Sequence, residues 1–449
     1  MSASSVTEQL SLALTSVDLA DLSPKDIQHA KRFVLDWLAS AIAGTATIPG
    51  RMLIDEGCER GSGPCRVLGV SGGRDAEVAA LVNGGLSHIV EMDDLDRGSV
   101  VHPGTVVIPA ALAACEAVDA PGNRFVLAVI AGYEAAIRVG AAVGRSHYHF
   151  WQNTATCGAF GAATAAGIAF GLDAEQMTWA LGNAGSVAGG LWQFNHDGAM
   201  TKHLHAGRAA SNGLLAARLA ARGFTGAREI LEGPQGFFAA MSSDPQPARV
   251  TAGLDRGLGT PESPWKIGGV SIKPHASCRH THPAVDAARL VREQLDGGAS
   301  DIRRVRVETY GTALQITDAP HPTNAYQAKF SLQYCTAQAL LHGRVGPHDF
   351  APDRQADPSI RELMTRIDLA VDPELDRAYP AVWSARVSAE RTDGSMVTVH
   401  VDAPKGDPEN AVTWDEVVSK FRDLAAGTVF QNDVDRLVND VLDLQSWTS

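Results

Sequence analysis

The sequence has no paired-cysteine spacing, no glycine loop with a lysine to cradle phosphate, no dinucleotide fingerprint and no H-x-x-x-H pair. Each absence removes a class of chemistry. The six cysteines, Cys58, Cys65, Cys115, Cys157, Cys278 and Cys335, are scattered, which argues against a disulfide framework or a zinc ribbon. Neither nucleotide hydrolysis nor hydride transfer from a nicotinamide finds its cradle. A basic face is missing too. The 38 Lys and Arg stand against 51 Asp and Glu, a formal net charge of -13, so no nucleic-acid partner is expected. The N-terminus lacks a basic stretch followed by an apolar core, and the uncharged run Ala155–Leu172 consists largely of Ala, Gly and Thr. The expectation is a cytoplasmic protein with no membrane partner, in which that run is a tightly packed buried helix. The chemistry then falls to side chains alone, with no metal and no cofactor.

Three polar clusters stand out against this background. The segment from His88 to Thr105 gathers Glu91, Asp93, Asp94, Asp96, His88 and His102 directly after a run of small apolar residues. Charged groups are costly to desolvate unless paired or put to use, and neighbouring carboxylates push their pKa values apart. The segment reads either as a proton-transfer site or as a solvated acidic loop capping the helix before it. In the second cluster, Gly198 to Arg208, Lys202 and His205 sit three apart at a helix start and project from nearly one face. The third, Lys273-Pro-His275-Ala-Ser-Cys278-Arg279-His280-Thr-His282, has a density of donors suited to a substrate with two or more carboxylates. Zinc is the competing use for His275, His280 and His282, or for His88, Glu91 and His102, but neither set has established ligand spacing. Gly69-Val70-Ser71-Gly72-Gly73 fits a nucleophile elbow. That fold needs parallel strands, whereas the following residues read as helix upon helix, so a glycine-rich turn is expected.

Ser23 and Pro24 cap a helix whose face runs through Ile27, Ala30, Val34, Trp37, Leu38 and Ala41 until Gly44 ends the pattern. Apolar faces recur at 75–88, 107–118, 124–142, 155–170, 174–190 and 205–223, and their Ala and Gly let helix axes approach closely. The texture changes after about Pro264. Val305, Val307 and Thr309 alternate with charged residues, as do Val387 and Ala389, then Val397, Val399 and Val401 beyond a turn at Asp393-Gly394. Helical spacing returns from Thr413 through Val417, Phe421, Leu424, Val434, Leu437 and Val441. The predicted fold is mainly α with an α+β second domain: an all-helical domain, 1–266 completed by 404–449, interrupted by a smaller α+β lid domain, 267–403.

These clusters, in this order, resemble the MmgE/PrpD family, which includes 2-methylcitrate dehydratase, cis-aconitate decarboxylase and iminodisuccinate epimerase. The resemblance spans nearly the whole chain. It rests on His88 with Asp93-Asp94, His102-Pro103-Gly104, Thr154 through Gly158, Gly198 through Lys202 with His205 and Gly207, Gly223 through Gly226, Lys273 with His282, and Ala328 through Leu332. It implies a helical domain plus an α+β lid, a homodimer, a site in the cleft between the domains, and metal-free, cofactor-free catalysis on polycarboxylates. By motif match, Asp93, His102, Lys202 and Lys273 fall where lyase members place site residues. His102 is the candidate for proton transfer, with Asp93 orienting it. Lys202, Lys273 and Arg279 are candidates for carboxylate binding and charge stabilisation. His88, Glu91, Gln152, Thr154, His205, Cys278 and His282 complete the candidate substrate-binding set.

Three departures bear on the reaction. Glu91 stands where lyase members tend to have Asp, Gln152 where several carry His, and Cys278 where the decarboxylase has His. Gln cannot trade a proton near neutral pH. The departures count most against decarboxylation and less against dehydration. The expected function is a lyase that removes the proton alpha to a carboxylate of a methylcitrate-like di- or tricarboxylic acid. The alternatives are epimerisation of an iminodisuccinate-like dicarboxylate, a serine hydrolase using Ser71, and a non-catalytic binding protein.

Overall fold

Ser23 accepts a hydrogen bond from the Asp26 N–H, Asp26 reaches back to the Ser23 N–H, and Pro24 takes the first helical position. This capping box starts α1 (Pro24–Thr45) in a computed structural model that describes residues 4–295 and 298–447. Residues 1–3, 296–297 and 448–449 of the spans read from sequence lie outside the described residues. Gly44 does not stop α1, which runs on to Thr45. It is a crossing point instead: a Cβ there would sit 2.2 Å from the Leu86 carbonyl oxygen of α2 (Ala76–Ser87).

The same device recurs through the helical part, which continues with α3 (Gly104–Ala117), α4 (Gly122–Ala142), α5 (Gly158–Phe170) and α6 (Thr201–Ala220). A Cβ on Gly207 of α6 would lie 2.2 Å from the Leu81 oxygen of α2, and one on Gly161 of α5 would lie 2.7 Å from the Gly132 oxygen of α4. Small residues bring these helices to backbone contact. α5 is buried from Gly158 to Ala169, as the uncharged run predicts, and packs against α3, α4 and α6. α4 is long and apolar enough to cross a membrane, but 94% of its most apolar window is buried inside the protein. It also carries the buried ion pair Arg138–Glu134. Packing against neighbouring helices therefore accounts for its composition.

The alternating segments form one sheet of β1 (Ile302–Thr309), β2 (Ile367–Val371), β3 (Ala385–Arg391) and β4 (Met396–Val401), in the order β2-β1-β3-β4. β1, β3 and β4 are antiparallel neighbours, with Val307 opposite Val387 and Val387 opposite Val399. β2 pairs parallel to β1 and was not legible beforehand, because an edge strand reading Ile-Asp-Leu-Ala-Val buries only Ile367 fully. α7 (His282–Glu293) lies on β3 and β4 and against α8 (Leu332–His342). The protein is thus mainly α with a smaller α+β part. The last helices, α9 (Trp414–Ala425) and Val434–Leu442, pack on α1.

Ser71 is exposed in a turn where Gly69 and Gly72 take φ of 79° and 73°. The residues after it build helices, not parallel strands, so the nucleophile-elbow reading fails. The glycine crossings predict a graded stability response. Gly207→Ala is expected to lower unfolding stability by about 1–3 kcal/mol, the usual cost of overpacking. Gly61→Ala, where an added Cβ meets nothing within 4 Å, should change it little. Urea unfolding of the two variants checks the contrast.

Candidate active site

α2 ends with His88 as its C-cap residue, and the chain then crosses the seam between the helical and α+β parts before α3 begins at Gly104. Residues 88–95 are all buried, which removes the reading of a solvated acidic loop. Both parts hold this segment. Asp94 accepts the Gly104 N–H at 3.0 Å and the Tyr133 hydroxyl at 2.6 Å, tying it to α3 and α4. Leu95 exchanges backbone hydrogen bonds with Ser271 at 2.9 and 2.8 Å. Asp407 receives Arg97, Arg279 and the Ser271 hydroxyl. Glu91 and Val100 have φ of 61° and 53°, a region that costs a β-branched residue strain and that persists where the surroundings enforce it.

Asp93 is the hub of the acid–base groups. Its Oδ2 lies 2.7 Å from His88 Nδ1 and 2.9 Å from His102 Nδ1, the latter off the line a hydrogen bond needs. His88 Nε2 is 3.2 Å from the Gln152 side-chain nitrogen, and Gln152 Oε1 is 2.8 Å from His205 Nδ1. The donors are then ordered. Gln152 donates to His88 Nε2, so neutral His88 donates from Nδ1 to Asp93, and His205 donates to Gln152. Gln152 therefore couples two imidazoles without carrying a proton itself. Thr154 accepts the His102 backbone N–H at 3.1 Å.

Opposite this group lies a buried ion cluster. Glu91 pairs with Lys202 through one oxygen and with Lys273 through the other at 3.2 Å, and Lys273 also donates to the Glu91 carbonyl at 3.1 Å. A third lysine, Lys329, donates to the Ile89 carbonyl at 3.0 Å. Burial, with Lys202 and Lys273 nearby, brings Lys329 down to about 8. Burial lowers His102 to about 4 against the pull of Asp93, with Lys273 adding to the shift. Burial alone would raise Asp93, but His88, His102 and Lys273 outweigh it and hold the carboxyl well below its usual range.

Between the clusters is a cavity of about 30 Å³. The helical part supplies Glu91, His102, Gln152, Thr154 and Lys202, and the α+β side supplies Cys278, Arg279, His280 and Trp383. Arg279 reaches the wall with its guanidinium already bound to Asp407 and 2.8 Å from His282 Nδ1. Asp93, His88 and Lys273 stand behind the wall as partners of residues that line it. His282 is buried away from the cavity, facing Arg279 and the Ser277 carbonyl. His205 lines a separate cleft of about 620 Å³ and reaches the site through Gln152. A larger cleft of about 760 Å³ shares Val100, Tyr148 and Trp192 with the cavity and opens onto it. The catalytic and substrate-binding residues read from the sequence do not include His280, Lys329, Tyr148 and Trp383. His280 and Lys329 sat inside the quoted motifs, and the two aromatics carried no local signal.

One ligand atom from each of His88, Asp93 and His102 lies within 4.8 Å of the others, a grouping that could hold a metal ion. Without an ion, His88 Nδ1 is hydrogen-bonded to Asp93 Oδ2, and His102 Nδ1 lies 2.9 Å from the same oxygen as a charge contact. At neutral pH His102 is an uncharged base beside an ionised carboxylate, facing lysines that can stabilise an anion. Its ring resonances are therefore expected to keep neutral shifts down to about pH 5 and to titrate near 4. A titration by NMR centred near 6.5 would contradict this environment.

The sequence matches the MmgE/PrpD N-terminal domain over residues 8–250 and the MmgE/PrpD C-terminal domain over residues 275–444. A cis-aconitate decarboxylase-like protein, oryM, of Aspergillus oryzae is 28% identical, with 98% of this chain and 95% of the relative covered. Cis-aconitate decarboxylase of Aspergillus terreus is 27% identical, with 99% and 94% covered. The 2-methylcitrate dehydratase of Salmonella typhimurium is 31% identical over 137 residues, 28% of either chain.

Proposed function

Because the chain belongs to the MmgE/PrpD family over most of its length, we propose that it is a lyase acting on a di- or tricarboxylic acid, moving a proton at the carbon next to a carboxylate. The observation that carries this reading is the pairing of His102 on Asp93 with the Lys202–Glu91–Lys273 cluster across one small cavity. His102, uncharged, takes the alpha proton. Asp93 offsets the charge that the imidazole gains, and the lysines stabilise the enediolate-like charge left on the substrate. Dehydration follows when the hydroxyl on the adjacent carbon leaves as water, taking up the proton that His102 gained and returning the ring to its uncharged form. The side chains present supply base, counter-charge and cations, so the reaction is proposed to run without cofactor or metal.

A second reading is decarboxylation, favoured by the relatives that match end to end, two of which are described above as cis-aconitate decarboxylase or like it. The same lysines would stabilise the carbanion left when carbon dioxide departs. Gln152 and Cys278, which cannot act as imidazoles at the cavity wall, weigh toward the first reading.

A panel of di- and tricarboxylates incubated in deuterated water and followed by proton NMR separates dehydration, decarboxylation and epimerisation by product. Exchange or turnover is expected to persist after dialysis against a chelator. His102→Ala should lower turnover by about a hundredfold or more, while Lys273→Ala should mainly weaken binding. A His102→Ala protein that folds and keeps wild-type exchange would remove His102 from the mechanism.

We also propose a homodimer as the working unit. Leu191 and Leu204, both exposed, flank the cleft that contains His205, and such apolar surface is commonly covered by a partner. Equilibrium sedimentation is expected to give twice the chain mass, and a fully active monomer would refute it.

A further inference from the structure

His280 is 3% exposed and forms part of the cavity wall. Its ring stacks on Trp383 with centroids 4.3 Å apart and planes 6° apart, and its Nδ1 lies 2.8 Å from the Tyr310 hydroxyl. Tyr310 in turn stacks on Tyr379 at 4.5 Å. The imidazole is therefore fixed in plane and in rotation. Its other nitrogen, Nε2, is buried and has no hydrogen-bond partner among the described residues. A buried polar atom without a partner is costly, and such atoms in native proteins usually have a use.

The direction of the Tyr310 bond sets what Nε2 can do. The Tyr310 hydroxyl is fully buried, keeps its proton because burial raises the phenol well above its usual range, and has no other hydrogen-bond partner among the described residues, so His280 Nδ1 is the acceptor its proton finds. Burial, with His102, Lys273 and Arg279 adding to the shift, lowers His280 to about 3, so the ring is uncharged at working pH. An uncharged imidazole that accepts at Nδ1 carries its proton on Nε2.

We propose that His280 is a further substrate-contacting residue, donating a hydrogen bond from Nε2–H to a carboxylate oxygen next to the reacting carbon. This rests on reading the cavity as a polycarboxylate site and extends it. No proton leaves His280. Its fixed donor strengthens as negative charge gathers on that oxygen and needs no reorganisation to do so. The aromatic stack keeps the donor aimed, and Tyr310 is a positioning residue that selects the tautomer.

The test compares His280→Phe, which keeps an aromatic ring and loses the donor, with His280→Gln, whose side-chain nitrogen can occupy the Nε2 position without becoming charged. The probe is propane-1,2,3-tricarboxylate, which has no hydroxyl to lose, with binding read by calorimetry and turnover read on the substrate found by the deuterium panel. His280→Phe is expected to lose about a hundredfold or more in kcat/KM, the scale of one lost donor to a developing anion, and Gln to restore most of it. A folded His280→Phe protein with wild-type binding and turnover overturns the proposal, as does a Gln variant no better than Phe. Nitrogen NMR of histidine-labelled wild-type protein decides the matter even if the Phe variant fails to fold. A proton on Nε2 whose signal moves when the probe binds is expected, whereas a proton on Nδ1, or no movement at saturation, overturns it. A wild-type protein that neither binds the probe nor exchanges alpha protons refutes the polycarboxylate reading itself. A wild-type protein that binds the probe and turns over, with both left unchanged by His280→Phe, refutes the role of His280 alone.

Discussion

One carboxylate, that of Glu91, lies between two buried ammonium groups that reach it from distant parts of the chain. Lys202 arrives on α6, and Lys273 comes from the segment that leads into the α+β part. Two like charges brought together out of water repel strongly, and each pays a desolvation cost that only close pairing offsets. The surrounding geometry follows from that requirement. The left-handed backbone at Glu91 turns its side chain toward both lysines, and the glycine crossing at Gly207 lets α6 come near enough to α2 for Lys202 to reach it. The seam between the two parts is thereby an electrostatic joint as well as an apolar one.

The charge that remains bears on which ligands the pocket would favour. Lys202, Lys273 and Lys329 lie around Glu91 and Asp93, so among these five side chains cations outnumber carboxylates in a chain of net charge -13. An anion entering the cavity relieves this imbalance, and a neutral molecule does not. Burial first, and the nearby cations second, keep the rings of His88, His102 and His280 uncharged.

Features written in local periodicity could be read from the sequence. The helical faces, the β3–β4 hairpin at Asp393-Gly394 and the return of helix after Thr413 all depend on residues a few positions apart. Much of the acid–base group was legible for a similar reason, since His88, Asp93 and His102 lie in one short segment. What could not be read depends on partners far along the chain. Gly44 read as a stop because its reason, the Leu86 carbonyl, lies on another helix. β2 has too little alternation to announce itself, and its partner strand is far from it in sequence. Arg279 reads as a substrate-binding cation in the sequence because Asp407, which holds it, is 128 residues away. His280 was visible as a histidine, but its orientation is set by Tyr310 and Trp383, and only the folded chain brings those rings together.

A cavity of about 30 Å³ has room for roughly one water molecule. A larger ligand entering from the adjoining cleft can lie wholly within the cavity only where the seam widens, and for such a ligand measured affinity is the product of two quantities: intrinsic affinity for the widened pocket and the fraction of molecules in which it is widened. The groups that close the seam, among them the Leu95–Ser271 ladder and the Arg97 and Arg279 bonds to Asp407, set the second quantity. Substitutions there can tighten or weaken binding by shifting a conformational population. Sequence drift at the seam can therefore alter the working substrate concentration without touching any group that lines the cavity.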